Sequence, residues 1–364
     1  MSDPQQSPSP ITTNPPPLKS YLPWTKTPLI VNAPMAGFAG PSLATSVTLS
    51  GGLGMIGGVS SAPDIKSHLQ QAAHILQTHQ PSPLKSEQDP LPIGIGLLLF
   101  ALDLSSILPV LAAAKPAVAW LFAAPELPAY AEWAAAIRAV SPATRIWIQV
   151  GDVASALTVA RSASPDALCI QGADAGGHGY ARGAGIISFV PEASDALGAA
   201  GKGGIPLLAA GGIVDGRGVA AALSLGAAGV VMGTRFLGSS EVAVHPAYRA
   251  AVLAARDGGK ATVRSVVFDE LRGPSVWPEG YDGRSLAVRS YVDFVEGVGI
   301  EEVRRLFGEA VEGEDKGFGV GLEGRAAIWA GTGVGLVNEV EGAGEILERI
   351  REEARGILGR LSAL

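Results

Sequence analysis

The residues best suited to chemistry fall in one short stretch, Gln171-Gly172-Ala173-Asp174-Ala175-Gly176-Gly177-His178-Gly179. An imidazole titrates near neutral pH, so it can take up and return a proton under ordinary conditions. The surrounding glycines let backbone approach a flat ligand or adopt φ > 0, and they hold His178 on a loop instead of a helix face. The plain alternative is a surface histidine in a turn. The other histidines offer less: His68, His74 and His79 share one helical stretch without the spacing of a metal-binding pair, and His245 lies outside the repeating part of the chain. No metal site is expected. The only cysteine, Cys169, has Leu168 and Ile170 as neighbours and reads as a buried thiol, not a loop nucleophile. A lone cysteine also excludes a disulfide framework and a thiolate zinc cluster.

Two further stretches suit an anion. Ala209-Ala210-Gly211-Gly212-Ile213 runs into Asp215-Gly216-Arg217-Gly218, and Met232-Gly233-Thr234-Arg235-Phe236 follows. Glycine amides at a helix start, facing a second Gly-Thr turn, make a concave row of N–H donors. Read singly, each is an ordinary tight turn; together they point to a phosphate. A fourth stretch, Ala33-Pro34-Met35-Ala36-Gly37, combines a proline-fixed turn with an adaptable methionine contact that can lie along a ring system.

These stretches share a position in a larger pattern. Eight apolar runs of four to seven residues occur at 29–33, 53–56, 93–99, 118–122, 145–150, 167–170, 206–210 and 229–232. Continuous apolarity marks strands buried on both faces, as in parallel sheets. Helical stretches at 64–78, 128–140, 153–162 and 216–225 fill intervals between them. Eight such units predict an α/β fold, a (β/α)8 TIM barrel, whose active site belongs in the loops that follow the strands and whose phosphate site belongs in the last two. The four stretches follow the sixth, seventh, eighth and first runs.

The rest of the chain frames this barrel. Residues 1–24, rich in Pro, Ser and Gln, predict an unstructured tail without the apolar core of a signal peptide. Residues 25–238 form the predicted barrel, and 239–320, with mixed charge and turn signals, a helical accessory lobe placed to cover its mouth. The segment 321–364 returns to the barrel through an amphipathic final helix. The run at 91–102 ends at Asp103, too short for a membrane helix of about 20 residues. A formal net charge of −7 without a basic stripe argues against nucleic-acid binding. A cytoplasmic setting is expected; a homodimer is compatible with the sequence.

Together the four stretches resemble the nitronate monooxygenases, formerly called 2-nitropropane dioxygenases. The resemblance runs over Ala-Pro-Met at 33–35, Gly-x-Asp-Ala-Gly-Gly-His-Gly at 172–179, Ala-Ala-Gly-Gly-Ile-x-Asp-Gly-Arg-Gly at 209–218, Met-Gly-Thr-Arg-Phe at 232–236 and a closing Ala-Gly-Thr-Gly-Val-Gly-Leu at 330–336. It implies FMN as cofactor. Met35, Gln149, Gln171 and Gly176 would line the isoalloxazine, with Ala33, Pro34 and Gly172 adding contacts. Ala210, Gly211, Gly212, Gly233 and Thr234 would hold the phosphate, and His178 would be the base. The implied reaction is oxidative denitrification of a nitroalkane or nitronate by O2 to a carbonyl compound and nitrite. Three positions depart from the family's pattern: Gly96 stands where an asparagine is common, Asp174 where a glutamate is, and Thr332 where a glutamine is frequent.

Three other readings compete. One is an NAD(P)H-dependent FMN reductase of the same fold, acting on a quinone or an enoyl thioester. Gly94-x-Gly96 is not continued into a Rossmann fingerprint, though FMN barrels can bind nicotinamide without one. The second is an IMP-dehydrogenase-like barrel, which needs a loop cysteine that Cys169 does not provide. The third is a non-catalytic barrel that binds a phosphorylated ligand.

Overall fold

Strands with apolar side chains on both faces need cover on both, and the eight runs obtain it by closing into a barrel. The computed structural model describes residues 18–58, 61–83, 86 and 89–362. Its barrel strands are β1 (Ile30–Asn32), β2 (Met55–Gly57), β3 (Leu91–Leu98), β4 (Pro116–Phe122), β5 (Arg145–Val150), β6 (Ala167–Gln171), β8 (Leu207–Ala210) and β9 (Gly229–Met232). All neighbouring pairs are parallel, in the order β1-β9-β8-β6-β5-β4-β3-β2. A parallel bridge from Val31 to Leu53 closes the ring between β1 and β2. The fold is a (β/α)8 barrel.

Successive side chains alternate between two cores, as the pleat of a strand requires. Ile30, Ile56, Ile95, Ile148, Ile170 and Val230 point outward to the helices. Val31, Met55, Trp120, Trp147, Cys169 and Val231 point inward. Two indoles on neighbouring strands, with ring centroids 6.2 Å apart, occupy much of the interior. Strand β3 makes room with glycine: a Cβ on Gly94 would lie 2.0 Å from the Met55 sulfur. Removing a buried indole such as Trp147 would cost ~3–5 kcal/mol.

The floor of the barrel is sealed by residues expected to lie in the tail. Leu18–Tyr21 is a short helix, Leu18 and Leu22 are buried against the inner core, and Trp24 donates to Gly52 O at 3.1 Å. The described chain is therefore structured from Leu18 onward, while residues 1–17 of the expected tail lie outside the described residues. The last helix, Ala343–Leu361, packs on Pro41–Leu49 and Gly216–Ser224 and so completes the helical ring. Its Arg351, almost fully buried, donates to the carbonyls of Pro28, Ser50 and Gly51 at 3.3, 2.7 and 2.6 Å. Among the described residues no helix is long and apolar enough to cross a membrane.

The lobe differs from the helical unit that the sequence predicts. Its helices, Pro246–Ala254, Arg289–Val295 and Ile300–Glu312, accompany an antiparallel sheet of β10 (Thr262–Ser265), β11 (Tyr281–Leu286) and β7 (Gly177–Tyr180). Strand β7 comes from the barrel, directly after β6, and carries His178 opposite Gly283. The histidine is therefore on a strand, not on the free loop expected. Neither β10 nor β11 has an apolar run, and the pairing partner of β7 lies about a hundred residues away, so local pattern did not reveal the sheet.

Candidate active site

The mouth of the barrel and the lobe enclose one cavity. Ala33, Pro34, Met35, Gln149, Gln171, Gly176, His178, Ala210, Gly211, Gly212, Gly233 and Thr234 all line it. Gly172 does not. It lies behind the wall, donating to Ala210 O at 2.8 Å and accepting from Ala175 N at 3.1 Å, and a Cβ there would come within 2.9 Å of Ile186 N. Its place is in the turn that aims the loop, away from the cavity lining where a cofactor contact was expected. No Asp, Glu, Lys or Arg side chain lines the cavity among the described residues.

One end of the cavity is made of backbone. Gly211 and Gly212 have φ of +108° and +73°, values that L side chains rarely adopt. Among the described residues the amides of Gly211, Gly212, Gly233 and Thr234 donate to no protein acceptor. Helix Gly216–Ser224 starts where the sequence predicts, but the amides of its terminus are satisfied within the protein: Asp215 accepts from Gly218 N at 3.0 Å, and Glu353 accepts from Gly216 N at 2.8 Å. The free donors are those of the preceding turn. The segment 331–333 joins the two turns: Gly331 N donates to Thr234 Oγ1 at 2.9 Å, and a Cβ on Gly333 would lie 3.0 Å from Gly212 O. Asp174 and Thr332, two of the departures noted above, form one hydrogen-bonded pair at 3.0 Å.

The middle of the cavity is a narrow slot. A Cβ on Gly96 would fall 2.4 Å from Pro34 Cβ, so the proline ring occupies the space an asparagine would need. Gln149 Oε1 accepts from Trp120 Nε1 at 3.0 Å, which leaves the Gln149 amide N–H groups for a ligand. Gln171 Nε2 donates to His178 O at 3.0 Å, which leaves its oxygen as an acceptor.

The other end is made of side chains from distant segments. His178 Nε2 lies 2.6 Å from Asp269 Oδ1. The Trp277 ring stacks on the imidazole with centroids 3.7 Å apart and planes 7° from parallel, and Trp329 lies against it at 4.7 Å and 50°. Tyr281 lies beneath, 5.5 Å from Phe122 and 5.1 Å from Tyr180. Burial pushes the Tyr281, Tyr130 and Tyr180 phenols up, so they remain neutral. Arg284 on β11 donates to Ala173 O at 3.2 Å and to Thr262 Oγ1 at 3.1 Å, tying the glycine loop to the lobe.

Asp269, Trp120, Trp277 and Trp329 were not singled out from sequence as site residues. The one usable signal was tryptophan in a chain only 6% aromatic, with Trp277 set in a proline-flanked turn. Cys169 lies inside the barrel wall, wholly buried, and burial pushes its thiol up. It is not among the residues that line this cavity, so it offers no nucleophile there for the IMP-dehydrogenase-like reading.

Comparison with known proteins agrees with this geometry. The family model for nitronate monooxygenase matches residues 121–273. The chain is 46% identical to nitronate monooxygenase npaC of Metarhizium robertsii, over 94% of this chain and 95% of that protein. It is 36% identical to a nitronate monooxygenase of Neurospora crassa, over 95% of this chain and 94% of that one. Among solved structures, FabK from Thermotoga maritima superposes with a TM-score of 0.72 at 25% identity, covering 96% of this chain and 99% of that one. The protein is an oxidoreductase that belongs to the nitronate monooxygenase family.

Proposed function

We propose that this protein binds FMN and uses O2 to convert alkyl nitronates, and the nitroalkanes that yield them, to carbonyl compounds and nitrite, with His178 as base. The observation that carries this reading is the row of four acceptorless amides, 211, 212, 233 and 234, in the same cavity as an imidazole. A phosphate would take those N–H groups and the Thr234 hydroxyl, whose oxygen already accepts from Gly331 and whose proton is free. A flat ring system would lie along Pro34, Met35 and Gly96, offered donors by Gln149 and an acceptor by Gln171. When bound, FMN supplies the electron acceptor for a carbanion and the centre at which O2 is used.

The chain's own part is binding, orientation and proton movement. His178 takes the α-proton of a nitroalkane; the C–H pair moves into the nitro group and leaves a nitronate. The nitronate is an anion, and among the described residues no carboxylate lines the cavity to repel it. Trp277 and Trp329 cover much of the imidazole, and the lower local polarity strengthens the attraction between an imidazolium and a nitronate.

The test is direct. Purified protein is expected to be yellow and to release FMN on heating. Mixed anaerobically with a nitronate, the flavin is expected to bleach, and air is expected to return the colour with nitrite formed. Bleaching by NADPH and not by nitronate would favour the reductase reading. A colourless protein that takes up no FMN would favour the phosphate-binding barrel.

A further inference from the structure

We infer that Asp269 is a positioning residue that fixes the tautomer of His178, so that Nδ1, not Nε2, accepts the substrate proton. This rests on the reading of His178 as the base. A carboxylate has no hydrogen to give, so the ring nitrogen facing it at 2.6 Å carries the proton. In the neutral imidazole the lone pair then belongs to Nδ1. Among the described residues Nδ1 makes no hydrogen bond, nor is it among the buried atoms lacking a partner, so it is open to the cavity that His178 lines.

The surroundings leave the pair few alternatives. Trp277 covers one face of the ring in parallel contact, and Trp329 leans on it at 50°. The Asp269 side chain is only 7% exposed, and its Oδ2 is buried with no partner of its own. Among the described residues His178 is thus the single hydrogen-bond partner of this buried carboxylate. Such a carboxylate orients the ring and stabilises the imidazolium that forms when the proton arrives. The helix that carries it, Val267–Glu270, is held at both ends: Val267 N donates to Ser265 Oγ at 3.2 Å, and Arg304 Nε donates to Glu270 O at 2.7 Å. Phe268, next in line, packs edge-on against Trp329 at 5.8 Å. In the transfer step the substrate C–H bond breaks, a bond from Nδ1 to hydrogen forms, and the electron pair passes to the nitro group. The other proton stays on Nε2, hydrogen-bonded to Asp269 Oδ1.

Two experiments test this, one without turnover. Long-range 15N–1H NMR of the histidines in the protein as purified should show neutral His178 protonated on Nε2. Protonation on Nδ1 overturns the inference. Asp269→Asn keeps the shape but allows either tautomer. It should lower kcat on a neutral nitroalkane by about 10²–10⁴-fold and raise the substrate deuterium isotope effect. The loss on preformed nitronate, which needs no proton removed, should be at least tenfold smaller, and Asp269→Glu should recover part of the nitroalkane rate. Equal losses on both substrates would mean a merely structural role and overturn the inference, as would an unchanged rate. A wild-type protein inert toward both substrates would instead overturn the proposed function, and the NMR result would still judge the tautomer.

Discussion

The two ends of the cavity are built from different materials. At one end, peptide amides from two short turns, 211–212 and 233–234, wait for an acceptor, and what shapes them is glycine at particular positions. At the other, an imidazole from β7, a carboxylate from a four-residue helix and two indoles from separate segments meet only because the lobe folds over the barrel. A backbone site depends on local conformation and tolerates changes in side chains elsewhere. A side-chain site depends on the docking of segments far apart in the chain. The contrast implies that binding and proton transfer can be damaged separately.

The largest effect should come from His178→Asn. On a neutral nitroalkane it should lose about 10²–10⁴-fold in kcat, the usual contribution of a placed base, while FMN content stays at the wild-type level. Loss of FMN in parallel would break the contrast, because it would make the imidazole part of the binding end. Next is Gly212→Ala. Its φ of +73° and a Cβ 3.2 Å from Asp174 Cβ strain any side chain, at a cost of ~1–3 kcal/mol. An FMN Kd raised about tenfold or more is expected, with the rate of the flavin-loaded fraction preserved; equilibrium dialysis and single-turnover kinetics separate the two.

Trp277→Ala sharpens the contrast from the lobe side. Loss of the parallel contact with His178, worth ~0.5–1.5 kcal/mol in comparable aromatic pairs, should raise KM for the nitroalkane several-fold and leave FMN affinity alone. An unchanged KM would show that the roof does not touch substrate. The smallest effect belongs to Cys169→Ala, which lies in neither end. Turnover should stay within about twofold, and stability should fall by ~1 kcal/mol for a small core cavity. Burial holds the native thiol up, whereas an unfolded thiol ionises near about 8.5. The folded state thus keeps the proton longer. Its contribution to stability is full below that pH and declines as pH rises above it, so urea titrations at pH 7 and 9.5 should show a smaller pH difference for Cys169→Ala than for wild type.

Much of the barrel was legible because a strand buried on both faces needs an unbroken apolar run, and β3, β4 and β5 show it plainly. The amide end was legible for a related reason: the Gly211-Gly212 pair after the seventh run and the Gly233-Thr234 turn after the eighth are local signals. Even so, the free donors at 211–212 are not those of the helix that starts at Gly216, whose amides Asp215 and Glu353 satisfy. Gly172 shows the limit of reading glycine as a ligand contact, because a glycine packed against Ile186 looks the same in sequence as one facing a cavity. Asp269 was visible only as part of a charge cluster with Glu270, and nothing in its neighbourhood distinguished it from a solvated carboxylate. The strand β7 was hidden because its partner β11 follows so much later and is half polar.

By itself the order of residues determined the periodic barrel, the glycine turns and the imidazole, since each depends on neighbours a few positions away. The tertiary structure alone decided which carboxylate meets His178, which indoles cover it and which ring nitrogen is left open. Those outcomes depend on how a lobe lacking continuous apolar runs in its strands packs across the mouth, and contacts at that separation leave no periodic trace in the chain.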